Sequence, residues 1–219
     1  MELAKSIDFD SGHAADTGAD STPGIGDISV FHDFSSAEAV WRGFEREAVA
    51  TPYQRFDWLE SWHRHIGERR GIEPLIVQAR TDDGKTAFLW PLGIRRSGNV
   101  RVAHWLGCKL VNYRFGLYAP GIEARMDRAA LISVLDQLRD EAGVDTLMFT
   151  NQPDAWGGQR NPLLDLPPQV SPSFAYSLRL QPDFDELSAE LRTSSLRKKF
   201  RRFERRPGKA SGRCRLRRP

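Results

Sequence analysis

The chain has 219 residues, 40% of them apolar, with six Trp, twelve Phe and a net charge of +3. That is enough chain to bury a real core, and no apolar run approaches the ~18 residues a membrane-spanning helix needs. Cys108 and Cys214 form no metal or redox spacing and argue against a disulfide framework, and residues 1–10 lack a signal-peptide core, so the reading is a reducing, cytoplasmic protein.

Residues 1–26 are rich in Gly, Ser, Asp, Ala and Thr and read as a disordered leader. Ile28–Phe31 is a short strand. Ser35 to Glu38 matches a capping box, followed by a helical face of Val40, Trp41, Phe44 and Ala48 that ends at Thr51-Pro52. A second helix starts at Gln54 or Asp57, with Trp58, Leu59, Trp62 and Ile66 on one side and Gly67 as its C′ residue. Trp41, Trp58, Trp62 and Trp90 are expected in the core. His63 and His65, two apart, cannot share a metal on a helix and are expected in solvent.

The period then changes. Pro74–Ala79, Lys85–Ile94 and Val100–Leu106 read as three strands of an antiparallel meander, joined by turns at Thr81–Gly84 and Ser97-Gly98. Residues 127–142 form a helix with Ala130, Leu131, Val134, Leu135 and Leu138 inward, ended by Gly143. Thr146–Phe149 is a buried strand. Residues 151–172 hold five prolines and two adjacent glycines and read as a long loop, followed by a last strand, Phe174–Leu180.

Pro182 and Asp183 open an amphipathic helix with Phe184, Leu187 and Leu191 on one stripe. Leu196, Phe200 and Phe203 make a second stripe about 150° away at helical periodicity. The helix either breaks near Thr193-Ser194-Ser195, with a serine as new N-cap, or shows two faces to two bodies. From Arg192 onward there are thirteen Lys/Arg and one acid, Glu204, a net +12, which leaves −9 on residues 1–191. Arg197/Arg201, Lys198/Arg202, Arg201/Arg205 and Arg202/Arg206 are like-charge i,i+4 pairs, each costing roughly 0.2–0.5 kcal/mol on an isolated helix. Arg197–Arg206 therefore calls for an anionic partner.

The order strand, helix, helix, meander, helix, strand predicts an α/β fold, a mixed, largely antiparallel sheet flanked by helices. This order resembles the GNAT acyltransferases. TPYQRFDWLESWHRHIG (51–67), EPLIVQARTDDGKTAFLWPLGIRR (73–96), VRVAHWLG (100–107) and VNYRFG (111–116) look like the front half of the CelD-type, BioF-like acetyltransferases, bacterial proteins associated with cellulose and exopolysaccharide synthesis. SSLRKKFRRFERR (194–206) is similar to the helix joining their two GNAT-like halves. The resemblance spans about Ile28 to Arg206. It implies a GNAT-like domain over 27–180, a basic joint helix over 181–206 and an irregular tail over 207–219. The tail has no apolar period, so the chain is expected to be cut, by truncation or frameshift, after its joint helix.

The resemblance also implies the chemistry: transfer from acetyl-CoA or another acyl-CoA to an amine or hydroxyl of a sugar or cell-envelope precursor. In GNAT domains a Gln/Arg-x-x-Gly-x-Gly/Ala loop leads into a helix N-terminus that holds the CoA pyrophosphate. That loop is absent between Leu106 and Asp127, and Arg95–Val100 is a poor match in the wrong place. The expectation is an acceptor-side half, inactive alone, with acyl-CoA bound mainly by a second half.

The loop after the meander offers Asn112, Tyr113 and Arg114 as substrate contacts, because binding residues collect on loops held by a rigid scaffold. Trp156-Gly157-Gly158 offers a flexible lid with an aromatic tip. Glu60, Glu73, His104 and Tyr113 could act as general base by residue type. A different reading takes the basic helix alone: a non-catalytic module that binds nucleic acid or anionic lipid.

Overall fold

The structure, a computed structural model, describes residues 24–171, 178, 180–191, 193–196 and 198–199. The chain divides into two compact units, Met1–Pro172 and Ser173–Pro219.

The first unit is built on one mixed sheet in the order β1-β2-β3-β4-β6, with β5 paired to β3. The strands are β1 Ile25–Phe31, β2 Glu73–Thr81, β3 Thr86–Ser97, β4 Val100–Trp105, β5 Leu117–Tyr118 and β6 Thr146–Met148. β1 to β4 pair antiparallel, and β5 joins β3 in the same sense. β6 alone runs parallel, with Val102, Ala103 and His104 of β4 opposite Thr146, Leu147 and Met148. A parallel neighbour needs a crossover, and helix α3, Arg128–Ala142, supplies it.

Side chains alternate across a strand, and the central strands obey this closely. Leu75, Val77 and Ala79 of β2 join Phe88, Trp90, Leu92 and Ile94 of β3 in a core that includes Leu131, Val134 and Leu138 of α3. Ile76 and Leu89 face the other way, into a second core. That core comes from α1, Phe34–Phe44, and α2, Phe56–Trp62. Trp90 and Tyr118 are fully buried, and the Trp90 indole N–H donates to the Tyr118 hydroxyl at 3.1 Å. Burial pushes the Tyr118 phenol pKa up.

Several local expectations are corrected. Asp33, not Ser35, caps α1: its carboxylate accepts from the Ser36 N–H at 2.8 Å. α1 ends at Phe44 rather than at Thr51, and the capping box lies in the next turn, between Thr51 and Gln54. α2 continues into a wide turn over His63–Gly67, and Gly71 at φ 63° takes the left-handed position expected of Gly67. Gly67 is small because a Cβ there would sit 2.6 Å from the His63 ring. His63 is buried, not solvent-facing, and its Nε2–H donates to the Ile72 carbonyl at 2.9 Å. Trp58 is 44% exposed, with its ring edge-on to Tyr53, whereas Trp41, Trp62 and Trp90 are buried. Among the described residues β6 is the last strand of the sheet, and Met148 is 51% exposed there rather than buried. The 151–172 stretch carries a small hairpin, β7 Ala155–Trp156 with β8 Gln159–Arg160.

In the second unit, α4 spans Phe184–Leu191. The Asp183 carboxylate caps it, accepting from the Asp185 and Glu186 N–H groups at 2.7 and 3.0 Å. The helical path is interrupted at Thr193, and its hydroxyl, rather than a serine's, accepts from the Leu196 N–H at 3.4 Å. Most of the expected strand Phe174–Leu180 lies outside the described residues, as do Phe200, Phe203 and the tail. No helix among the described residues is long and apolar enough to cross a membrane.

Candidate functional site

The loop between β4 and α3 and the β7–β8 hairpin come together, and they carry the residues singled out from sequence. The loop is held from below by a buried polar turn. The Gln54 side chain accepts from the Thr51 N–H at 3.0 Å and donates to the Tyr113 carbonyl at 3.3 Å. Gln54 and Thr51 are 3% and 1% exposed, so these bonds are shielded from water. The Gln54 carbonyl in turn accepts from the buried Trp41 indole N–H at 3.0 Å. This chain of contacts fixes the Tyr113 backbone to the α1–α2 core. The Thr51-x-x-Gln54 capping box was not singled out from the sequence, and its second partner, Tyr113, is too far along the chain for any local pattern to reveal.

Tyr113 stacks at a tilt on Trp156, with ring centroids 5.3 Å apart. Trp156 sits in a two-residue hairpin whose turn, Gly157-Gly158, takes φ of 59° and 83°, the backbone that glycine adopts without steric cost. The hairpin is anchored at its base. Asn161 is fully buried, and its side-chain amide donates to Gln152 Oε1 and the Pro153 carbonyl at 3.2 and 3.1 Å. The Trp156 tip is therefore mounted on a fixed support.

Gln159 lies opposite Trp156 in the hairpin register and shares its face. It is 4% exposed, and neither its Nε2 nor its Oε1 has a hydrogen-bond partner. Such a group costs roughly 1–3 kcal/mol. Nothing in the sequence pattern marks it.

Arg114 is partly buried. Its guanidinium donates to the Thr150 hydroxyl and, at 2.6 Å, to the Cys108 carbonyl, while its main-chain N–H donates to the Asn151 carbonyl at 3.0 Å. Burial lowers its pKa from the usual value. Its Nε–H is buried without a partner, and it makes no ion pair among the described residues. Asn112 is exposed beside it.

The candidate bases are dispersed. Glu60 pairs with Arg64 at 3.6 Å, and Glu73 with Arg96 and Arg101 at 3.8 and 3.6 Å. His104 and Tyr113 share this region, and His104 is the one with an oriented ring nitrogen. Its Nδ1–H donates to the Trp105 carbonyl at 2.9 Å, which leaves Nε2 as the basic nitrogen. Burial first, then Arg114 and Arg95, lower its pKa from the usual histidine value, which favours the neutral ring. A neutral imidazole with one oriented lone pair has the form a general base needs.

Two other features lie elsewhere. A cleft of about 440 Å³ opens at the far end of β3, lined by Glu47, Asp83, Lys85, Pro120 and Arg125 among others. Among the described residues no group of His, Cys, Asp and Glu is placed to hold a metal ion. The N-terminus of α3 does not fit the phosphates of acyl-CoA. Asp127 occupies it, accepting from the Ala130 N–H at 2.8 Å, and a carboxylate there repels a second anion. The stretch before it folds into short turns with no glycine-rich cradle.

No protein-family model matches the sequence, and no curated protein matches it. Two solved structures align with it loosely. A ribosomal-protein-alanine N-acetyltransferase from Brucella melitensis biovar Abortus 2308 is 16% identical over 71% of this chain and 99% of its own, with a TM-score of 0.35. An acetyltransferase from Trypanosoma brucei is 15% identical over 71% and 99%, with a TM-score of 0.31. At that distance the functional reading rests on this chain's own connectivity and side chains.

Proposed function

We propose that this chain is the acceptor-side half of a GNAT-type acyltransferase of the CelD-like, BioF-like kind. One observation carries the reading. Two helices separate β1 from an antiparallel β2-β3-β4 meander, and a helical crossover then brings β6 back parallel to β4. That connectivity is the one the sequence resemblance implies. The residues at and past the ends of β4 and β6 form the candidate site. Tyr113 and Trp156 offer an aromatic surface for a sugar ring, Asn112 and Arg114 offer polar contacts, and His104 Nε2 takes the proton of the attacking amine or hydroxyl. Acetyl-CoA or another acyl-CoA is the donor, held mainly by a second GNAT-like half, because Asp127 closes the helix N-terminus that would otherwise take its phosphates.

Ligand-observed NMR on the full chain with a panel of amino sugars tests this. The expected result is saturation transfer from an amino sugar that is lost in Trp156→Ala. If no amino sugar binds, or if Trp156→Ala binds as well as the parent, the acceptor-side assignment is wrong. A second reading, an anion-binding module working through the basic helix, is favoured by the exposure of Lys198, Lys199 and Leu196. It predicts binding to anionic vesicles or RNA that falls steeply with salt.

A further inference from the structure

The β3–β4–β6 edge has two faces, and their cations are treated differently. On one face Arg96 and Arg101 meet Glu73 at 3.8 and 3.6 Å. On the other, His104 stands opposite Gly93, and Arg95, two residues on, projects from that same face. Met148 is opposite His104 in the parallel register, and Thr150, two residues further, takes the Arg114 guanidinium. Arg114 and Arg95 both lie close enough to His104 to disfavour its charge. Neither arginine makes an ion pair among the described residues.

Arg114 is the telling member. A guanidinium has five N–H donors, and two are used, on Thr150 and the Cys108 carbonyl. These two bonds and the Asn151 contact hold the residue in place, yet the buried Nε–H has no partner and the guanidinium has no counter-charge among the described residues. Holding a partly desolvated cation in a fixed pose without a counter-charge costs stability, and a ligand anion would recover that cost. Met148 at 51% exposure and the exposed Arg95 leave this face open.

We propose that Arg114 and Arg95, on the open face beside His104, form a subsite for a phosphate group. Guanidinium pairs suit this anion because each fork gives parallel N–H bonds to two oxygens. The subsite deepens the acceptor-side reading: it would fix a phosphorylated or nucleotide-linked acceptor with its reacting group near His104 Nε2. A phosphate of the acyl donor carries the same chemistry.

Inorganic phosphate, titrated into the ¹⁵N-labelled full chain and followed by NMR, reads the subsite without any acyl transfer. Resolving individual residues separates it from phosphate held by the basic C-terminal run. The expected result is saturable shifts of Arg114, Thr150 and His104 that sodium chloride at matched ionic strength does not produce. Arg95→Gln, an exposed substitution that leaves the fold intact, weakens this binding several-fold, and Arg114→Gln removes it. Shifts that track chloride, or an Arg95→Gln titration identical to the parent, overturn the proposal. Competition then identifies the source. Displacement of phosphate by glucose 1-phosphate assigns the subsite to the acceptor, and displacement by coenzyme A assigns it to the donor. If phosphate binds here but amino sugars fail in the Trp156 experiment, the subsite stands and the acceptor reading falls. If amino sugars bind and phosphate does not, the reverse holds.

Discussion

Arg101 and Arg114 sit at the same edge of the sheet, one on a structural face and one on a face with work left to do. Arg101 closes the end of α3, donating to the Gly143 and Ala142 carbonyls at 3.0 and 3.3 Å, and it pairs with Glu73. Its main-chain N–H meets Asp145 at 2.7 Å. Every charge there has a structural partner. Arg114 is held as firmly, but among the described residues by neutral oxygens alone. The contrast teaches that a basic residue is read by its counter-charge: paired, it serves the fold; unpaired and partly buried, it points to a ligand.

The largest perturbation lies in the core beneath this edge of the sheet. Trp105 is 2% exposed and packs on Trp90 and Phe149, so Trp105→Ala should cost about 3–5 kcal/mol in urea unfolding. Gly107→Ala comes next. At φ 90° its new Cβ would lie 2.2 Å from Val111 Cγ2, and about 1–3 kcal/mol of strain is expected, with the Arg114 loop displaced. Arg101→Met should cost about 1–2 kcal/mol, through two orphaned carbonyls and a broken pair. Arg114→Met should cost clearly less than Arg101→Met, because it removes an uncompensated cation; equal losses in the two unfolding curves would erase the contrast.

Gln159→Met sharpens the same logic with a neutral group. Deleting an unpaired buried amide should raise stability by about 1 kcal/mol, seen as a higher Tm. The smallest effect is a pH slope. The folded His104 pKa is lowered by burial, so below about pH 6.5 the unfolded chain binds the extra proton and stability falls as pH falls. His104→Gln should flatten that slope between about pH 6.5 and the folded pKa.

Much of the fold was legible because period and burial agree. Val77 and Trp90 alternate with Ile76 and Leu89 as a sheet buried on both faces requires, and Leu131, Val134 and Leu138 keep the helical spacing of α3. The errors fell where local signals compete. Ser35 had the better capping pattern, but Asp33 two residues earlier made the bond. Trp58 looked apolar, yet its side of α2 faces water. At the site, Tyr113 and Trp156 were each legible as loop residues, but their stacking depends on a long-range approach. Gln54, Gln159 and the open face around Arg114 were not legible, because burial and counter-charge are properties of the folded chain.

Isothermal calorimetry with acetyl-CoA, on the full chain at a salt concentration high enough to screen the basic run, bears most directly on the acceptor-side assignment. The structure predicts no saturable heat, because Asp127 holds the α3 N-terminus and no glycine-rich cradle precedes it. Binding at micromolar affinity that survives the salt would contradict the assignment and make this chain a donor-binding unit instead.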